Sequence, residues 1–272
     1  MTLVDVVVDR GVATLTLNST ANRNALSFRL MDELSAALTA AVGDPAVRVI
    51  LLSHAGPVFC AGADLRETTA AVSAGTTLPV VRLAQLLADL WECPKPLVAR
   101  VAGPARAGGL GLLATADLVF AAASATFAFT EVRLGVVPAA ISPVVQPRLT
   151  ARGLAELYLT AEPVPAARAA AAGLVTAVVP DDGLDEAVAA ACAAVVRGAP
   201  GALAETKRIC RDGPGSCSGR GRRRRRCAPG WPPPPSCRRV RSPGRRTRGI
   251  GCLRRETPAV LGGVARTADA PM

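Results

Sequence analysis

The stretch that decides the fold is Val58-Phe59-Cys60-Ala61-Gly62-Ala63-Asp64-Leu65, in which an apolar run passes through small residues into a polar-capped segment. A second stretch of this kind, Ala107-Gly108-Gly109-Leu110-Gly111, follows about 45 residues later. Both are typical of a glycine-rich turn from a strand into a helix, where the first backbone N–H groups have no partner within the helix. Small residues let a ligand oxygen approach such amides closely. Together the two turns predict a pair of N–H donors for one negatively charged oxygen.

Short apolar strands and amphipathic helices alternate on both sides of these turns. Residues 4–8 and 12–17 are β-rich runs joined by Asp9-Arg10-Gly11, which predicts a hairpin. The periodicity further predicts helices over 27–42, 80–90, 108–116, 151–160, 166–172 and 185–196, and strands over 47–52, 96–101, 117–122 and 175–179. Such alternation predicts an α/β core over 1–197 with crossover helices covering the sheet. Residues 198–212 are expected to begin a C-terminal helical region.

Composition excludes several classes of protein. The first five residues lack a basic, then apolar, secretory signal, and no run of about 18 uncharged apolar residues predicts a membrane span. A single His and the absence of a CxxC pair leave no zinc-ligand cluster, so no metal is expected. The cysteines before residue 213 are scattered singly, which favours a reduced, cytoplasmic protein.

The net charge of +11 belongs to the last 60 residues. Residues 213–272 contain 15 Arg and two acidic residues, whereas residues 1–212 contain 17 basic and 19 acidic residues. Apolar periodicity stops at Gly213, where an Arg/Pro/Gly-rich segment begins that cannot bury enough surface to offset its ordering entropy. Three interpretations of this tail stay open: a frameshift in a GC-rich gene, which we favour, a native disordered tail, and an arginine-rich arm for nucleic acid. The near-neutral remainder makes nucleic acid an unexpected partner for the core.

Taken with Asn22-Arg23-Asn24-Ala25-Leu26-Ser27 and the segment 129–138, the two glycine-rich turns give a specific resemblance. From about residue 3 to 212 the chain resembles the enoyl-CoA hydratase/isomerase (crotonase) superfamily. The resemblance implies a spiral of ββα repeats, trimeric or hexameric assembly, and coenzyme A thioester substrates whose enolate is held by two amides. It implies no cofactor beyond the coenzyme A of the substrate.

The resemblance also assigns roles to individual residues. It places the donor amides at Ala63 and Gly108 and the catalytic carboxylate at Glu131. The residues that it places beside the bound thioester are Ala25, Ala61, Asp64, Leu65, Arg66, Gly109 and Gly111.

One of these positions departs from the family pattern. Hydratases of the family usually carry a second glutamate in the helix after the second glycine turn, and this sequence has Gly111 there. We therefore expect an enoyl-CoA hydratase family enzyme and keep two alternatives, a Δ3-Δ2 enoyl-CoA isomerase, which needs only one base, and a catalytically impaired acyl-CoA-binding protein. A dinucleotide fingerprint, GxGxxA at 109–114 with an acidic residue at 131, is a weaker match that leaves the 60–64 turn unexplained.

Overall fold

The computed structural model describes residues 2–76 and 78–212. The Arg/Pro/Gly-rich tail over 213–272 lies outside the described residues, and so do its three interpretations. The strands are β1 (Val4–Asp9), β2 (Val12–Leu17), β3 (Val49–His54), β4 (Leu97–Val101), β5 (Ala105–Arg106), β6 (Leu118–Ala122), β7 (Thr126–Ala128), β8 (Val164–Pro165) and β9 (Ala177–Val179). The α-helices are α1 (Phe28–Gly43), α2 (Leu65–Ala74), α3 (Pro79–Glu92), α4 (Gly108–Thr115), α5 (Ser142–Val145), α6 (Ala151–Thr160), α7 (Ala166–Ala172), α8 (Leu184–Val196) and α9 (Pro200–Asp212).

A six-stranded sheet in the order β1-β2-β3-β4-β6-β9 forms the frame of the described chain. The β1–β2 hairpin is antiparallel, and every later neighbour in this sheet is parallel. Parallel neighbours need crossover connections, and these are supplied by the helices. The predicted α/β class is confirmed.

A second layer of short extended segments runs through the repeats. Its three-stranded sheet has the order β5-β7-β8, and two isolated parallel bridges, Leu26 with Ala63 and Cys60 with Ala105, continue the pairing toward the N-terminus. Successive turns of the chain thus give one strand to the large sheet, one short segment to the second layer, and then a helix. The predicted spiral of ββα repeats is confirmed, and its stacking brings residues 60, 105 and 127 of consecutive repeats side by side.

The core lies on both faces of the large sheet. On one face the apolar sides of α1, α3 and α4 pack against the sheet in one continuous cluster, and all eight residues of α4 are buried. A smaller cluster on the other face includes Val49, Val98 and residues of α8. Burial of these apolar side chains is the main favourable term that holds the repeats together.

His54 corrects one expectation. The sequence predicts a strand over 47–52, but β3 runs from Val49 to His54, and His54 is only 7% exposed. Its Nε2 accepts a hydrogen bond of 3.0 Å from the Ala102 amide, and its ring meets Phe59 edge-on. Burial and the positive charge of Arg100 lower the pKa of His54.

Helix α9 is held on the core by charged groups around Asp117. Lys207 Nζ lies 2.8 Å from one Asp117 carboxylate oxygen, and Arg211 lies 3.0 Å from the other. Arg211 also donates to the carbonyl of Thr115, the last residue of α4. The guanidinium groups of Arg148 and Arg211 both lie over the ring of Trp91, at 4.8 and 4.7 Å from its centroid.

Within the described chain no single helix has the length and apolarity of a membrane span. Only the bent pair 181–196 and 200–211, which turns by 112°, meets that test when its two halves are taken together.

Candidate active site

The turn at residues 60–64 directs the Ala63 amide away from its own strand partner. The amide of Leu26 donates to the Gly62 carbonyl at 2.8 Å, and the amide of Asp64 donates to the Leu26 carbonyl at 3.4 Å. In a parallel pair a residue bonds to the two neighbours of the residue opposite, so the N–H of Ala63 itself points to the other side. The Ala63 N–H is therefore not used in this strand pairing.

The second donor is the first amide of α4. Helix α4 begins at Gly108, and its N-cap Ala107 has φ 45° and ψ −118° with no side-chain capping bond. A non-glycine residue in this region of φ and ψ is strained by about 1–3 kcal/mol. The amide of Ala107 donates to the Ala128 carbonyl at 3.0 Å, and the N–H of Gly108, at the start of α4, has no partner within the helix.

The two donor turns touch each other. A Cβ built on Gly108 would lie 3.9 Å from the Ala63 nitrogen. A Cβ on Gly62, whose φ of +93° favours glycine, would lie 3.0 Å from the Cβ of Ala107. The structure thus brings Ala63 and Gly108 into one small space.

Two further glycines of α4 allow this close packing. A Cβ on Gly109 would meet Cys60 at 2.7 Å, so the helix and the first turn are in backbone contact there. A Cβ on Gly111 would meet Ile141 at 2.8 Å and Leu87 at 3.0 Å. The space beside Gly111 is therefore filled by Ile141 and Leu87.

The start of α2 lies directly after the first donor. Asp64 caps α2 by accepting from the amides of Arg66 at 2.9 Å and Glu67 at 3.3 Å. Leu65 is 58% exposed and Arg66 is exposed as well, so both side chains are free of the core. The capping bonds fix the direction in which the 63–66 segment leaves the turn.

Ala25 and Ala61 lie on the other side of that turn. Ala25 is buried and precedes Leu26, the strand partner of Ala63. The amide of Ala61 donates to the Arg23 carbonyl at 3.1 Å. The predicted substrate-contacting residues before position 67 thus surround a single turn.

Glu131 is the first residue of a 3₁₀ turn, Glu131–Leu134, that follows β7. Its Oε2 atom is buried and has no hydrogen-bond partner in the described chain. Burial raises the pKa of this carboxyl, and a bond from its own amide opposes the rise only in part. A carboxyl with a raised pKa and an unpaired buried oxygen is suited to taking up and returning a proton.

Sequence reasoning missed a pair of hydroxyls near Glu131. Tyr158 on α6 is the only Tyr of the chain, and its hydroxyl lies 3.3 Å from Ser142 Oγ. Its ring packs edge-on against Phe129, with centroids 4.7 Å apart. Burial and the negative charge of Glu131 raise the pKa of Tyr158. The signal in the sequence that could have indicated this pair is a single Tyr at an inward position of an amphipathic helix.

Metal binding and thiol chemistry find no support at this place in the described residues. They contain no group of three or more His, Cys, Asp or Glu side chains able to hold a metal ion. Cys60 is fully buried and burial raises its pKa to about 12, so its thiol packs as a small apolar group.

Comparison with known proteins decides the family. A family profile described as enoyl-CoA hydratase/isomerase matches residues 8–214 of the chain. The chain belongs to this family.

Solved structures are similar to the chain in fold and in sequence, and a further relative is similar in sequence. The structure of an enoyl-CoA hydratase from Mycobacterium avium is 42% identical with a TM-score of 0.68, covering 76% of this chain and 80% of that one. A Pseudomonas aeruginosa structure is 37% identical with a TM-score of 0.73, covering 79% and 93%. The mitochondrial methylglutaconyl-CoA hydratase of Mus musculus is 34% identical over 170 residues, which are 62% of this chain and 54% of the relative.

Proposed function

We propose that this family member adds water to the double bond of a 2-enoyl-CoA thioester. The observation that carries the proposal is the convergence of the Ala63 and Gly108 amides in one space, because two such donors suit a thioester oxygen that becomes negative during the reaction. The family names of the relatives support the same class of substrate.

Glu131 is the proton carrier in this proposal. Its carboxylate takes a proton from water while the water oxygen bonds to the β-carbon, and the electron pair of the double bond moves toward the thioester oxygen. Return of a proton from Glu131 to the α-carbon restores the carboxylate and completes the addition of one water. The raised pKa of Glu131 makes its carboxylate a stronger base for the first half-step.

The residues around the first turn are proposed to hold the coenzyme A part of the substrate. Asp64, Leu65 and Arg66 follow the Ala63 donor, and the last two are exposed beside it. Ala25, Ala61, Gly109 and Gly111 are proposed to shape the contact surface through their small size. Coenzyme A is part of the substrate in this proposal, which requires no cofactor or metal.

Assembly and location belong to the same proposal. We propose a homotrimer or hexamer in the cytoplasm, with acyl-CoA as the small-molecule partner and neither membrane nor nucleic acid as a partner. Gel filtration with light scattering of the full chain tests the assembly.

The second candidate is Δ3-Δ2 enoyl-CoA isomerisation. Gly111 favours it, since Ile141 and Leu87 fill the place of a second glutamate, and moving a double bond needs only one base.

One pair of assays separates the candidates. The purified protein is given crotonyl-CoA and, separately, a 3-enoyl-CoA, and the absorbance of the conjugated thioester is followed. A fall with crotonyl-CoA supports hydration, a rise with the 3-enoyl-CoA supports isomerisation, and no change in either supports a binding protein. We expect Glu131→Gln to abolish the activity, and unchanged turnover in this variant would reject Glu131 as the proton carrier.

A further inference from the structure

The place beside Gly111 is apolar, but the next residue of the segment that fills it is polar. Ile141 covers Gly111, which lies three residues after Gly108 in α4. Ser142 follows Ile141 and begins α5. Ser142 is therefore the residue next to the one that covers Gly111.

The Ser142 hydroxyl is ordered by two partners. Its Oγ donates to the Pro138 carbonyl at 2.7 Å and lies 3.3 Å from the Tyr158 hydroxyl. With its own proton used, Ser142 accepts from Tyr158, which leaves the lone pairs of the phenol oxygen available to accept a further hydrogen bond. Packing on Phe129 fixes the Tyr158 ring, so this acceptor cannot swing away.

Glu131 lies close enough to influence the same phenol. Phe129, which carries the Tyr158 ring, is two residues before Glu131, and α6 packs against the 3₁₀ turn that begins at Glu131. The negative charge of Glu131 raises the pKa of Tyr158. The buried Oε2 of Glu131 has no partner among the described residues. A water molecule that donates one proton to this Oε2 and the other to the phenol oxygen would satisfy both groups.

We propose that the Tyr158–Ser142 hydroxyl pair holds the attacking water against Glu131, and so takes over the water-binding task of the missing second glutamate. The proposal rests on the proposed function and deepens it. The pair transfers no proton in the net reaction, because Glu131 removes and returns it. It orients the water oxygen toward the β-carbon, a task that isomerisation does not require.

The test compares two activities in matched variants. Tyr158→Phe removes one hydroxyl and keeps the ring that packs on Phe129, and Ser142→Ala removes its partner. Thr160→Val is the control, since it removes a hydroxyl from the same helix that only donates to the Glu156 carbonyl and accepts from the Glu162 amide on the surface. Hydration of crotonyl-CoA and isomerisation of a 3-enoyl-CoA are measured over pH 5–9 for each variant.

We expect Tyr158→Phe to lower kcat for hydration by about 10- to 100-fold, with KM and any isomerisation unchanged, because only the position of water is lost. Ser142→Ala lowers hydration in the same direction, and Thr160→Val keeps both activities. The acid limb of the pH profile, which reports Glu131, stays present in Tyr158→Phe.

Three results would overturn the proposal. Full hydration in Tyr158→Phe, or an equal fall of both activities, would show that the hydroxyl does not position water. A wild-type protein that isomerises but does not hydrate would do the same. If the wild-type protein acts on neither substrate, the proposed function itself fails, and this outcome is visible before any variant is compared.

Discussion

A single methyl group at Gly108 tests the two-donor site most directly. In Gly108→Ala the new Cβ would lie 3.9 Å from the Ala63 nitrogen. An oxygen that accepts from both amides lies about 2.9 Å from each nitrogen, so the methyl crowds the volume that this oxygen needs. The substitution therefore acts on the space between the donors.

The fold should survive this change. The other atoms near the new Cβ are Leu26 Cδ1 and Leu83 Cδ2, both at 3.0 Å and both at the ends of flexible side chains. Overpacking of this kind costs about 1–3 kcal/mol. Loss of one effective donor costs about 100- to 1,000-fold in kcat. The expected signature is thus a large loss of turnover with a modest fall in Tm.

Gly198→Ala is the matched control for overpacking. The three atoms nearest its Cβ would be side-chain atoms of Leu203, at 2.8–3.0 Å, far along the chain from either donor. Turnover is measured by the absorbance of crotonyl-CoA and unfolding by thermal denaturation. Near wild-type turnover in Gly108→Ala, or an equal loss of turnover in the control, would refute the reasoning about the donor site.

Three buried or partly buried titratable groups, Glu131, His54 and Asp117, each allow a further prediction. Burial raises the pKa of Glu131, so its ionisation destabilises the fold as pH rises through the folded pKa. Glu131→Gln should therefore raise Tm at pH 7, and this gain should vanish below about pH 4. An equal gain at pH 3 would contradict this. The pKa of His54 is lowered, so its neutral form stabilises the fold and this contribution is lost as pH falls. The single His signal in proton NMR should therefore titrate with a midpoint below about 6.5. A midpoint above that value would contradict the prediction. Asp117→Asn should lower the free energy of unfolding, measured in urea, by about 3–5 kcal/mol, because it leaves several cations without their carboxylate. Lys207→Met should lower it by less, since Asp117 stays paired with Arg211. The reverse order of the two variants would refute this account.

Helices whose ends carry strong local signals could be placed from the sequence alone. The helix predicted over 166–172 has those bounds in the structure, because Gly173 ends it with φ of 101° and donates to the carbonyls of Ala169 and Ala170. The helix over 151–160 likewise begins where the Thr150 side chain caps it. In both cases the deciding interactions lie within a few residues.

The second layer of the fold could not be found in this way. Strands β5 and β8 contain two residues each, too few to show any alternation, and they form only because neighbouring repeats stack. Helix α2 was visible only as a polar-capped segment, since a single residue of it is buried. These elements depend on contacts distant in sequence.

The candidate site divides along the same line. The donor turns are local, so short motifs indicate them. The resemblance to a family then assigned the donor amides to Ala63 and Gly108 and the carboxylate to Glu131. The Tyr158–Ser142 pair arises from a contact between two helices and has no motif. Gly111 marked the departure in sequence, and the structure adds that Ile141 fills the space.

Helix α4 has only eight residues, and both of its ends are in use. Its first amide faces the proposed substrate, while the carbonyl of its last residue, Thr115, accepts from Arg211 near the end of α9. Because α4 is a regular helix of only about two turns, a shift of its C-terminal end also moves its N-terminal end. Substitution of Arg211 should therefore lower turnover, and not only loosen the end of α9. A screen for variants with low activity should recover changes at this position, although Arg211 lies at the opposite end of α4 from the proposed substrate.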